Sequence, residues 1–296
     1  MSKPIVGVAL GSGGARGLAH IGVLRALRKH DIPIDCVAGT SIGAAIGGAF
    51  VSGIDMEQLA DGIKKIDLKK LLDIPEGLRG VIRRILGRTA SEYLFHRDWH
   101  TPPSESQVQT RAMCQLFAQY AEDTEFENLD LPFIAVAVDI DTGEPVFIQE
   151  GLVCHAVEAS STVPIAFYPV EYQGRYLVDG AIVDPVPIDA VIRMGANRVI
   201  AVDVGAVPLH EARSTLDVLA HADLASRQQL TRLHEELARE RLGEENLVVL
   251  RPDLHETDWT AFDCIDDCVT AGEREAEKHL DRIRAMVGQT QTSDLK

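Results

Sequence analysis

The sequence predicts an α/β fold on a largely parallel central sheet, and three observations carry that expectation. The apolar run of residues 5–10 ends in glycine and leads into Leu18, Ile21, Val23, Leu24 and Leu27 at helical spacing, with Arg25, Arg28 and Lys29 facing outward. A second short run, 36–39, precedes a helix of small residues over 42–52. Strand-like runs then return at 133–138, 146–148, 176–178, 198–204 and 247–250, with helical stretches at 152–161 and 187–194 between them. A strand–helix–strand–helix opening pairs its strands in parallel through crossover helices, which sets the α/β class.

The remaining elements follow from local signals. Pro187 opens its helix in the first turn, where a missing N–H costs nothing. Ser214 is a suitable N-cap for the charged helical stretch that runs to about residue 242. Residues 264–287 read as one closing amphipathic helix, and 288–296 as a frayed polar tail. Between 55 and 130 charged amphipathic segments alternate with Pro102-Pro103 and a polar stretch, so this part reads as a helical cap insertion. The expected organisation is a main α/β domain over 5–205 carrying that insertion. Residues 206–296 form a helical extension with one strand, packed on the same domain.

Composition excludes several function classes. A formal charge of −16 over 296 residues argues against nucleic acid as a partner, because phosphate neutralisation needs clustered Lys and Arg. The five cysteines form no C-x-x-C pair, and no metal-ligand spacing is seen, so no cofactor is expected. The run 5–10 is too short for a signal-peptide core, and the longest apolar run, 42–51, falls far below the ~20 residues that span a bilayer. The expectation is a soluble, cytoplasmic protein.

Three constellations carry chemistry. The first is Gly39-Thr40-Ser41-Ile42-Gly43, a G-x-S-x-G between a strand and a helix. A nucleophile elbow needs small residues around its serine, because the turn is tight and the following helix packs close. A structural turn with a capping serine fits the pentapeptide as well. The second is Gly11-Ser12-Gly13-Gly14-Ala15-Arg16-Gly17, whose glycines free backbone N–H groups to face an anion. A dinucleotide loop would need its third glycine where Arg16 stands, so an oxyanion hole is the better fit. The third is Asp179-Gly180-Ala181 at a strand end, either a turn former or the base that a serine of normal pKa requires.

A Ser–His–Asp triad is the competing arrangement. His20 and His30 fall on the first helix, and His221, His234 and His279 on charged helices, where solvated faces account for them. His255, after the last strand, could complete a triad in Ser…Asp…His order, but such hydrolases do not place their elbow on the second strand.

Taken together, these motifs resemble the patatin-like phospholipase family, particularly its small bacterial members and the catalytic domain of neuropathy-target-esterase-like proteins. The resemblance covers about residues 5–205 and includes His20-Ile21-Gly22-Val23-Leu24 and Ala159-Ser160-Ser161-Thr162-Val163-Pro164. It implies a three-layer α/β/α fold and lipid-ester hydrolysis by a Ser–Asp dyad without a catalytic histidine. It assigns Ser41 as nucleophile and Asp179 as base, with the N–H groups of Gly13 and Gly14 as oxyanion hole and Arg16 in support. Gly39, Gly43 and Gly180 belong to the same motifs. Ser12 departs from the family pattern, standing where many members have the first of three glycines. The alternative from another class is a non-catalytic regulatory or scaffolding relative, for which the long charged helix leaves room.

One stretch bears on substrate access. Residues 64–88 hold eight basic and three acidic residues among apolar ones, within an acidic chain. A basic amphipathic segment of this kind suits peripheral contact with an anionic membrane, and equally a solvated face on a cap helix.

Overall fold

Strands β1 (Val6–Leu10), β2 (Cys36–Thr40) and β3 (Phe133–Asp139) are buried at every residue, so their sequences run apolar instead of alternating, up to the polar last residues Thr40 and Asp139. The computed structural model describes residues 4–65, 124–164, 167, 169–205, 215–254, 257 and 262–289. Within these, β4 (Pro145–Ile148), β5 (Val170–Tyr172), β6 (Arg175–Asp179), β7 (Arg198–Val202) and β8 (Leu247–Leu250) complete one sheet in the order β5-β6-β3-β2-β1-β7-β8, with β4 also paired to β3.

The pairs β1–β2, β1–β7, β2–β3 and β7–β8 are parallel. The pairs β3–β4, β3–β6 and β5–β6 are antiparallel, so the sheet is largely parallel, as expected, with antiparallel pairing at one side. Strand β5 escaped sequence reading because it has three residues and no apolar run. It is joined to β6 by Gln173 and Gly174, both at positive φ (50° and 75°), in the two-residue turn that matches strand twist.

Helices cover both faces. On one lie α1 (Ala19–Lys29), α2 (Ile42–Val51), α3 (Met56–Lys65) and α4 (Val153–Ser160), joined by α7 (Ile265–Lys278) and α8 (Leu280–Val287). On the other, α5 (Ile188–Arg193) and the long α6 (Thr215–Leu242) pack Ile188, Val191 and Ala238 against Ala38, Val136 and Ala201. The three layers anticipated for the family are present.

Two expectations need correction, and one falls partly outside the described residues. The closing helix is not continuous: it breaks at His279, whose Nδ1 bonds the Glu275 carbonyl at 3.0 Å and intrudes on the helical ladder. His20 is not on a solvated face but fully buried. Of the expected insertion, α3 buries Met56, Leu59 and Ile63 in the main core, and Phe126 stacks on Phe133 of β3 at 5.8 Å. Residues 66–123, with most of the basic stretch, lie outside the described residues, as do Ser214 and His255. Lys64, at the start of that stretch, is ion-paired with Asp266 of α7 at 2.6 Å.

Candidate active site

Strand β2 delivers Ser41 into a turn that few side chains tolerate. Its backbone has φ 58° and ψ −124°, a conformation that costs a non-glycine residue about 1–3 kcal/mol and that concentrates at functional sites. Helix α2 starts at the next residue, so the hydroxyl stands at a helix N-terminus, where developing negative charge is favoured. The turn requires glycine at position 43, since a Cβ there would come within 2.2 Å of the Leu10 carbonyl oxygen. Gly39 lies beneath the same turn, against Gly43. The Ser41 N–H donates to Ser160 Oγ at 2.9 Å, and that hydroxyl donates to the Val136 carbonyl at 2.6 Å. Ser41 is 8% exposed.

Asp179 is brought to Ser41 by sheet register. Strand β2 pairs with residues 133–136 of β3 and ends with Thr40 opposite Val136. Strand β6 takes up the same edge one residue later, with Asp179 opposite Ala137, because β4 holds the other edge there. The two strands therefore meet head to head, which brings Ser41 and Asp179, at their ends, close enough for the Ser41 hydroxyl to influence the Asp179 carboxyl. Position 180 must be glycine, because a Cβ would lie 2.3 Å from the Val136 carbonyl oxygen.

Asp179 is 3% exposed, and its carboxyl accepts from the Ala181 N–H at 2.8 Å. Burial pushes its pKa above the usual carboxylate range, opposed by the nearby Ser41 hydroxyl, by the Ala181 N–H and by the charge of Arg227 on α6. A buried carboxylate with raised proton affinity is suited to take a hydroxyl proton.

The glycine-rich loop lies beside the elbow, because β1 and β2 are neighbours. It is anchored by Gly11 N–H to Val202 O (3.0 Å) and Ser12 N–H to Pro185 O (2.8 Å). Arg16 is 4% exposed, and its Nε donates to Val204 O at 2.9 Å and Nη1 to Thr257 O at 3.1 Å. Gly13 caps and Gly14 begins a short 3-10 turn, so the Gly14 N–H has no intrahelical partner. Among the described residues no backbone carbonyl accepts from either N–H.

Buried His20 fixes the loop from behind, with Nε2 at 2.7 Å from the Gly11 carbonyl and Nδ1 unpartnered among the described residues. Burial lowers its pKa to about 4, the Gly11 bond opposing, so the ring is neutral and Nε2–H donates. A histidine lowered from its unfolded value contributes stability that is complete above about pH 6.5 and is lost as pH falls toward 4. The expected loss between pH 7 and pH 5 is about 2 kcal/mol. Denaturant titrations should show this component in the parent and not in His20→Gln, which carries no titratable ring.

Sequence reading missed Ser160, Asp184 and His234 as neighbours of the elbow. Ser160 was legible only as part of its motif. Asp184 is buried, accepts from Thr40 Oγ1 at 2.9 Å through its carbonyl, and meets His234 Nδ1 at 3.2 Å through its carboxylate. Burial raises the Asp184 pKa, while the hydrogen bond to Asp184 raises that of His234. Nothing in the charged pattern of α6 distinguishes His234 from a solvated histidine.

Comparison with known proteins identifies the family and the fold. Residues 8–192 match the family model described as patatin-like phospholipase. The chain is 34% identical over 217 residues to an NTE family protein of Mycobacterium tuberculosis, covering 72% of this chain and 52% of that protein. It is 32% identical over 215 residues to lysophospholipase NTE1 of Mycosarcoma maydis, covering 73% of this chain and 10% of that one. The chain thus spans about half the length of its mycobacterial relatives and a small part of the fungal ones. Among solved structures, human GIVD cytosolic phospholipase A2 in complex with methyl gamma-linolenyl fluorophosphonate shares the fold with a TM-score of 0.52 and 12% identity, over 97% of this chain and 59% of that one.

Proposed function

Because the chain belongs to the patatin-like phospholipase family, we propose that it is a serine acyl hydrolase cleaving lipid acyl esters through Ser41 and Asp179. The observation that carries this reading is the strained Ser41 at a strand–helix elbow, beside a buried carboxylate of raised pKa. Asp179 takes the Ser41 hydroxyl proton as Oγ attacks the ester carbonyl. The tetrahedral oxyanion lies against the N–H groups of Gly13 and Gly14, each such donor being worth about 3–4 kcal/mol in known hydrolases. Arg16 acts as a brace for this loop through its bonds to Val204 and Thr257. Collapse expels the alcohol or lysolipid, which leaves with the proton from Asp179. Water then attacks the acyl-enzyme with Asp179 again as base, releasing the fatty acid and restoring Ser41.

The mycobacterial relatives carry an NTE family description and the fungal ones are lysophospholipases, which favours lysophospholipid among candidate substrates. Among the described residues no helix is long and apolar enough to cross a membrane, and we read access to lipid as peripheral contact. The basic stretch 64–88 is the sequence feature that suits such contact.

Both points are tested by one panel of lysophospholipid, phospholipid, acylglycerol and short-chain esters, offered with neutral and anionic vesicles at rising salt. Hydrolysis of lysophospholipid is expected to exceed that of the short ester, and activity on anionic vesicles to fall with salt. Each basic residue at an anionic surface is worth about 1 kcal/mol. Arg83→Glu with Arg84→Glu should therefore weaken vesicle binding more than tenfold and leave short-ester hydrolysis unchanged. Unaltered vesicle binding would assign the stretch to a solvated face, and failure to cleave any ester would remove the hydrolase reading.

A further inference from the structure

Helix α6 lies beyond residues 8–192, the segment that matches the family model, yet it is bonded to the frame of the candidate dyad. Thr231, His234 and Ala238 follow one another at spacings of three and four, which places them on one face. That face turns toward the sheet, because Thr231 and Ala238 are 8% and 3% exposed. His234, between them, meets the buried carboxylate of Asp184 at 3.2 Å. Facing a carboxylate, Nδ1 carries the proton and donates.

Asp184 is the joint between the two halves of the site. Its N–H donates to the carbonyl of Gly180, the residue after Asp179, at 2.9 Å. Its carbonyl accepts from the hydroxyl of Thr40, the residue before Ser41, at 2.9 Å. Thr40 is itself fully buried. A displacement of Asp184 would therefore change the separation of Ser41 and Asp179, and a misplacement of about 1 Å can cost about 100-fold in rate.

We propose that His234 is a positioning residue for hydrolysis, holding Ser41 and Asp179 in register by anchoring Asp184 from α6. This rests on the reading of Ser41 and Asp179 as the catalytic pair. It adds a requirement for residues outside the family segment: α6 is part of the working enzyme, not an appendage to it.

The test compares Ser41 labelling by a fluorophosphonate, steady-state hydrolysis and thermal stability across variants of the full chain. His234→Leu should slow labelling and lower kcat about tenfold with KM unchanged. His234→Asn, which keeps a donor at the Nδ1 position, should recover most of both. Asp184→Ala should match His234→Leu, and the double variant should be no slower than either single one, because both remove the same bond. Val248→Ala, a core truncation in β8, should lower the melting temperature without slowing labelling. A His234→Leu protein that melts earlier but labels at the parent rate would overturn the proposal. Additive losses in the double variant would do the same. A parent protein that does not label at all would instead remove the underlying reading of Ser41.

Discussion

Ser41→Ala is expected to abolish ester hydrolysis, by about 10⁴-fold or more in kcat, while the protein remains folded. The loss follows from chemistry, because the substitution removes the hydroxyl that attacks the ester carbonyl. Retention of the fold follows from the bonds around the residue. The Ser41 N–H still reaches Ser160, its carbonyl still accepts from Ala44 and Ala45, and a Cβ already occupies the site. The backbone strain gives a second readout. Ser41→Gly should be as inactive but more stable than Ser41→Ala by about 1 kcal/mol, since glycine carries no Cβ penalty at φ 58°. Urea titrations of the two variants measure that difference. Hydrolysis persisting in a folded Ser41→Ala protein would exclude this nucleophile.

Asp179→Asn is expected to lower kcat about 10²–10⁴-fold, the range for removal of a general base. The pH profile provides the sharper test. Catalysis needs the carboxylate, and burial holds the Asp179 pKa above the ordinary value of about 3.9, so the acid limb of kcat/KM should lie above that value. Asp179→Asn should lose that limb from whatever activity remains. The same shift has a consequence for stability. A carboxyl whose pKa is raised on folding disfavours the folded state as pH climbs from its unfolded value through its folded one. Asp179→Asn should therefore melt higher than the parent at pH 7, as expected where a site sacrifices stability for function. A parent acid limb that survives unchanged in Asp179→Asn would assign the titration to another group.

Much of this architecture was legible because the signals were local. The apolar runs of β1, β2 and β3 announce buried strands, and the glycines at 39 and 43 announce a turn that packs against neighbouring backbone. The resemblance to the patatin-like family then joined residues 41 and 179, which no local pattern connects. What stayed hidden depends on tertiary contacts. The head-to-head meeting of β2 and β6 arises from their shared edge on β3, a matter of register that sequence spacing does not encode. The antiparallel hairpin of β5 and β6 turns on Gln-Gly, a weaker signal than Asn-Gly. His20 and His234 lie in helices whose polar neighbours suggest solvated faces. The glycine-rich loop holds the buried His20, and Asp184 holds the half-buried His234.

The central claim, that Ser41 is a nucleophile activated by Asp179, is tested most directly by locating a fluorophosphonate adduct. The parent protein is incubated with the probe, digested and mapped by mass spectrometry, alongside Asp179→Asn. The expected result is a single adduct on the peptide containing Ser41, formed at least 100-fold more slowly in Asp179→Asn. An adduct on a different residue, or equal labelling of Ser41 in the two proteins, would contradict it.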